Sequence, residues 1–67
     1  MISLNGEASQ VRAGDTVAVV LSGLGIAQDA RGVAVAVDGE VVPRARWESF
    51  VLAEDAAVEV LTAMQGG

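Results

Sequence analysis

The sequence predicts an α+β fold in which one mixed sheet of about five strands packs on a single helix, followed by a flexible C-terminal tail. Two hairpin signals support this prediction, because Asn5-Gly6 and Asp38-Gly39 suit tight turns and each follows a short alternating segment. A single stripe at helical spacing lies between them, and an alternating valine segment precedes the tail. Because strands flank one helix, a single sheet packed on that helix buries the apolar faces of both.

The strands are predicted from alternating residues and from the turns that bound them. Pro43 cannot donate a hydrogen bond to a neighbouring strand, so it ends the return strand of the second hairpin. The last strand should be central and lie beside the first. Leu61 is out of phase with the valines before it and should point to the other sheet face. The predicted strands cover residues 2–4, 7–12, 33–37, 40–42 and 58–61.

One helix is predicted between the two hairpins. Asp15 or Thr16 can cap its start, since either side chain accepts a hydrogen bond from a free backbone N–H. Two glycines end it, because glycine readily takes the left-handed conformation found beyond helix ends. We expect Leu21 and Leu24 to be buried against valines of the sheet. The apolar stripe consists of Val17, Val20, Leu21 and Leu24, and the terminating glycines are Gly23 and Gly25.

The segment between the second hairpin and the last strand is expected to be mostly irregular. Residues 44–49 should form loop or one short helical turn, and residues 50–52 a short extended piece. Trp47 and Phe50 are the only aromatic side chains, and we expect them in the core or in a lid over it. The acidic pair within residues 54–56 fits a turn better than a metal site.

Length and composition exclude several classes of function. The 67 residues allow one domain, predicted at residues 1–61, with a tail at 62–67. A formal net charge of −5 disfavours nucleic acid; it either attracts a basic partner or only maintains solubility. The absence of Cys, His and Lys removes thiolate chemistry, the commonest general base and a Schiff-base nucleophile. Because no signal peptide or membrane-length apolar run occurs, we expect a cytoplasmic monomer with no membrane partner.

The chain stops at Gly66-Gly67, and this tail is its most informative chemical feature. Taken alone, a frayed chain end is the simpler interpretation. A functional interpretation is that two glycines thread a narrow channel and present the terminal carboxylate to another protein's active site. Six residues follow Leu61 and reach about 20 Å when extended. The activating enzyme must then be a partner, because this chain has no phosphate-binding glycine loop.

Motifs along nearly the whole chain resemble the ThiS family, the sulfur carriers of thiamine biosynthesis. They are MISLNGE, Thr16, AVAVDGEVVPRARW and VEVLTAMQGG. The resemblance implies a ubiquitin-like β-grasp fold and a protein that is a substrate rather than an enzyme, with no cofactor of its own. It also implies that an E1-like adenylyltransferase uses ATP and Mg to adenylate the Gly67 carboxylate. A desulfurase system would supply sulfur through a persulfide, and thiazole synthase would take it from the Gly67 thiocarboxylate.

The remaining assignments concern partner contacts and departures from the family pattern. Asp55-Ala56 replaces the Gly-Asp that the family usually has, and Asp tolerates a positive φ better than most residues. Arg44 and Arg46 either meet acidic groups of a partner or form a solvated surface. We assign partner contacts to Leu61, Met64, Gln65 and Gly66.

Other functions stay open at this point. A molybdopterin-synthase small subunit is similar in fold and tail, but its usual Pro-Pro before the diglycine is absent here. A carrier for another sulfur pathway, such as cysteine synthesis, is harder to exclude. A ubiquitin-like modifier could be attached singly, although the absence of lysine excludes lysine-linked chains. A plain interaction module with an incidental tail is the fourth alternative.

Overall fold

The computed structural model describes residues 1–27 and 29–63, which form a five-stranded mixed sheet packed against one helix. The spatial order of the strands is β2-β1-β5-β3-β4, so the last strand is central, parallel to β1 and antiparallel to β3. This arrangement confirms the predicted architecture. In chain order the elements are β1 (Ser3–Leu4), β2 (Glu7–Ala8), α1 (Val17–Gly23), β3 (Val33–Val37), β4 (Glu40–Val41), a 3₁₀ turn (Arg44–Arg46) and β5 (Ala57–Thr62).

The helix begins at Val17, directly after one of the two predicted capping residues. The hydroxyl of Thr16 accepts a hydrogen bond from the backbone N–H of Val19, so Thr16, rather than Asp15, caps α1. Residues of β3 and β5 that alternate toward α1 complete the core on the sheet side. The buried residues of the core include Ile2, Val17, Ala18, Val20, Leu21, Val35, Val37, Val58 and Val60.

The prediction that Leu24 is buried is wrong. The helix ends at Gly23, and Leu24 is the capping residue beyond it and is 46% exposed. Gly25 then takes φ 79°, and the N–H of Ile26 bonds to the carbonyl of Leu21 at 2.9 Å. This reversal brings Ile26, rather than Leu24, against the core, as is common where a helix ends in a left-handed glycine.

The second strand is also shorter than predicted. It ends at Ala8, because Ser9 turns toward β1 and its hydroxyl donates to the carbonyl of Ile2 at 2.8 Å. Residues 9–12 therefore leave the sheet instead of continuing along its edge. Val51, in the segment predicted to be extended, makes a single bridge to Thr16.

Trp47 closes the end of the core beside the 3₁₀ turn, which confirms its predicted packing role. Only 2% of the residue is exposed, and its indole N–H donates to the carbonyl of Val42 at 2.9 Å. The guanidinium of Arg44 lies 4.6 Å from the centre of the indole ring and donates a hydrogen bond to the carbonyl of Ala30. Arg44 and Arg46 are both exposed, but Arg44 also makes contacts within the molecule that neither sequence interpretation included.

Asp55 adopts a positive φ. The glycine that is usual at this position in the resembled family is suited to the same conformation. Asp55 has φ 65°, and with Glu54 it binds the N-terminal ammonium of Met1. The pKa of this ammonium is raised mainly by the hydrogen bond that it donates to Asp55 and then by the one that it donates to Glu54. Asp55→Ala should lower the free energy of unfolding by about 1 kcal/mol relative to Asp55→Gly, because only Ala strains this conformation. Both variants lose the contact with Met1, so urea unfolding of the pair isolates the backbone effect. Equal midpoints and slopes would show that the turn tolerates Ala.

Candidate functional site

The tail begins where the central strand leaves the sheet. Strand β5 pairs with β3 as far as Thr62, opposite Val33, and the N–H of Ala63 then donates to the carbonyl of Gly32 at 2.6 Å. Gly32 has φ 73°, and a Cβ added there would lie 3.1 Å from the Cβ of Ala63. Glycine therefore permits the close approach that holds the last described residue of the chain.

On its other side, β5 is held by the first hairpin turn. The β1–β5 pairing ends at Leu4 and Val58, and the N–H of Asn5 donates to the carbonyl of Val58 at 2.8 Å. The side-chain amide of Asn5 then contacts both backbone groups of Val60. Sequence reasoning assigned Asn5 to the turn and Gly32 to the start of a strand, and gave neither residue a role at the tail.

Leu61 lies on the sheet face opposite the helix, as predicted, and is 68% exposed. Its cross-strand neighbour is Ala34, and Glu59 lies opposite Ala36 in the next pair on this side. Most of the other residues on this side of the sheet are small, so they do not project as far as Leu61, and Glu59 is the one charged residue among them. We call this surface the outer face; it consists of Ser3, Ala8, Ala34, Ala36, Val41, Ala57, Glu59 and Leu61.

A groove on the other side of the molecule lies between the first hairpin and α1. Its apolar lining includes Leu4, Val11, Val19 and Leu24, and Asp15 is among its polar lining residues. The Asp15 carboxylate already accepts a hydrogen bond from the backbone N–H of Arg12 at 3.0 Å. Because the chain contains no His, Cys or Lys, this groove offers no base or nucleophile of those kinds.

The described residues include two parts of the predicted site, but they do not include the residues to which the chemistry is assigned. Leu61 and the base of the tail are adjacent, whereas Met64, Gln65, Gly66 and Gly67 lie outside the described residues. The roles assigned to those four residues therefore remain predictions. Across residues 1–27 and 29–63, no cluster of three or more acidic side chains could hold a metal ion. No helix in the same ranges has the length and apolar character needed to cross a membrane.

Comparison with known proteins supports the family resemblance that the sequence motifs indicated. The model of the ThiS family matches residues 2–67. The crystal structure of the thiamine biosynthesis protein ThiS from Geobacter metallireducens is similar at a TM-score of 0.77, with 34% identity over 98% of this chain and 97% of that chain. The solution structure of a thiamine biosynthesis protein from the same organism gives 0.75 and 34%, over 98% of this chain and 86% of that chain. No curated protein sequence matches significantly. The resemblance and the ubiquitin-like β-grasp fold are therefore confirmed.

Proposed function

Because the chain belongs to the ThiS family, we propose that it is a sulfur carrier whose working group is the carboxylate of Gly67. The observation that carries this proposal is the anchored base of the tail. Central strand β5 is bonded on both sides, and Ala63 is bonded to Gly32, so the last described residue before the diglycine has a defined place. Four residues then remain, and they reach about 14 Å when extended.

The chemistry proposed for Gly67 needs activation by a partner. A carboxylate is a poor electrophile, and an E1-like adenylyltransferase would join it to the α-phosphate of ATP, with Mg, and release pyrophosphate. The acyl-adenylate must be shielded from water, which an enclosed partner site can do. The terminal sulfur of a persulfide, supplied by a desulfurase system, would displace AMP to give an acyl disulfide. A thiol of the partner system would then attack the S–S bond, form a disulfide with the persulfide's inner sulfur and release the thiocarboxylate. Thiazole synthase would accept this sulfur for the thiazole ring of thiamine.

The partner is proposed to contact the outer face as well as the tail. Leu61 stands beside the exit of the tail and is surrounded by small residues, so an apolar partner surface can approach it closely. Met64, Gln65 and Gly66 would follow into the partner's channel. The protein itself would supply no catalytic side chain to the reaction and would act as a protein substrate.

A mass measurement tests the proposal directly. The intact protein should be incubated with its cognate activating enzyme, ATP, Mg and a sulfur source, and then measured by mass spectrometry of the whole chain. We expect a gain equal to the difference between one sulfur and one oxygen, and no gain when ATP is omitted. Fragmentation should place the change on Gly67. An unchanged mass under conditions that activate a known carrier would refute the proposal.

The product of this experiment can then be used to find which pathway accepts the sulfur. The thiocarboxylated protein is offered separately to thiazole synthase and to the sulfur-accepting enzymes of molybdopterin and cysteine synthesis. We expect return to the original mass with thiazole synthase, in keeping with the family. Consumption by another acceptor alone would leave the carrier role standing and replace the thiazole assignment.

A further inference from the structure

The side chain of Asn5 extends from its hairpin turn to the central strand β5. There it forms the hydrogen bonds that the backbone of one more residue of β1 would form. Its Oδ1 accepts from the N–H of Val60 at 2.8 Å, and its Nδ2 donates to the carbonyl of Val60 at 3.3 Å. A primary amide carries a donor and an acceptor, as a peptide group does, so it can satisfy both backbone groups of one residue. Asn5 has φ 52°, a left-handed conformation that Asn tolerates well.

The position of this contact relates it to the tail. Backbone pairing of β1 with β5 ends at Val58, whereas β3 accompanies β5 to Thr62. The Asn5 amide therefore extends support on the β1 side by one more residue pair, toward the exit of the chain. Without it, residues from Val60 onward would depend on β3 and Gly32 for their place in the sheet.

We propose that Asn5 is a positioning residue for the tail, which keeps the end of β5 in the sheet so that the chain leaves at Ala63 in a fixed direction. This inference rests on the proposed function, because the direction matters only if a partner must receive the tail. Strand ends open at a small free-energy cost, so two hydrogen bonds are a large part of what keeps this end closed. A frayed end lowers the fraction of molecules whose tail is ready to enter the partner.

The chain contains a matched control at the opposite end of β5. Asp38 also precedes a glycine in a hairpin turn and has φ 51°, and its carboxylate accepts from the N–H of Ala57 at 3.0 Å. Asn5→Gly and Asp38→Gly both keep a residue that adopts positive φ readily, and both remove side-chain bonds to β5. Only Asn5→Gly does so next to the tail.

Two measurements on the full chain test the proposal at a temperature where both variants are fully folded. Amide exchange at Val60 should accelerate about tenfold in Asn5→Gly, as expected for the loss of such hydrogen bonds, and the effect should extend to residues 61–63. In Asp38→Gly the increase should be confined to the start of β5. The kcat/KM for adenylation by the cognate enzyme should fall about tenfold in Asn5→Gly and stay within about twofold in Asp38→Gly.

The results separate this inference from the proposed function. Unchanged exchange at Val60 in Asn5→Gly would overturn it, as would equal kcat/KM values for the two variants. If the intact protein is never adenylated, the proposed function fails, and the exchange data alone decide whether Asn5 holds the strand end. Should Asn5→Gly fold poorly, Asn5→Asp replaces it, since Asp keeps the acceptor and removes the donor to Val60.

Discussion

Replacing Leu21 with alanine should lower the free energy of unfolding by about 2–5 kcal/mol. Leu21 is completely buried in α1 and belongs to the same cluster as Val35 and Val60 on the sheet. The substitution removes apolar area from the core and leaves a cavity that the short helix cannot close. Because whole domains are stable by only about 5–15 kcal/mol, a chain of this size should be partly unfolded at ordinary temperatures.

Leu24→Ala is the matched control for this prediction. It makes the same chemical change three residues later, but Leu24 is 46% exposed and lies beyond the end of α1. We expect a loss of less than about 1 kcal/mol, as for most surface substitutions. Thermal and urea unfolding of the two variants should therefore differ clearly. Similar shifts for both would mean that Leu21 is not the better packed of the two.

The comparison of Leu21 with Leu24 shows what a helical stripe can and cannot predict. Period and capping correctly indicated one helix and its inner face, because both signals are local. The end of the helix depended on which glycine would adopt positive φ, and two were available within three residues. Gly25 did so, and the reversal moved Leu24 out of the stripe and Ile26 toward the core.

Strand order was predictable for a similar reason. Each hairpin turn fixes two neighbours, and the alternating valines of β5 require burial on one face, which a central position supplies. The end of β2 was not predictable, because it depends on the Ser9 hydroxyl reaching the carbonyl of Ile2 seven residues earlier. A serine hydroxyl can donate to many acceptors, and the amino-acid sequence does not indicate which of them it uses.

Of the candidate site, the structure confirms only the predicted position of Leu61, and the roles of Gly66 and Gly67 remain predictions. The Gly66-Gly67 end and the exposed Leu61 follow from the sequence, although the structure describes only Leu61. The contacts that anchor the tail join residues far apart, such as Asn5 and Val60 with a separation of 55. Turn propensity accounts for Asn5 fully, so nothing in the sequence signals that its amide has a second partner.

Deleting Gly67 should leave the fold intact and abolish efficient adenylation. The deletion withdraws the terminal carboxylate by one residue, roughly 3.5 Å, along the tail. A misplacement of even 1 Å can cost about a hundredfold in rate, so the truncated chain should react at least about a hundred times more slowly. The melting temperature should not change, because the last anchoring contact described is at Ala63, before the deleted residue.

A length-matched variant separates the place of the carboxylate from the identity of the residue. Gly67→Ala keeps the carboxylate in register and adds one methyl group, so it should retain more activity than the deletion if position is what matters. The assay follows pyrophosphate release with the cognate enzyme and ATP, at equal concentrations of folded protein. If the truncated chain is adenylated as fast as the intact one, the carboxylate of Gly67 is not the reacting group. The diglycine would then be an incidental end, and the anchored strand and exposed Leu61 would describe a binding module instead.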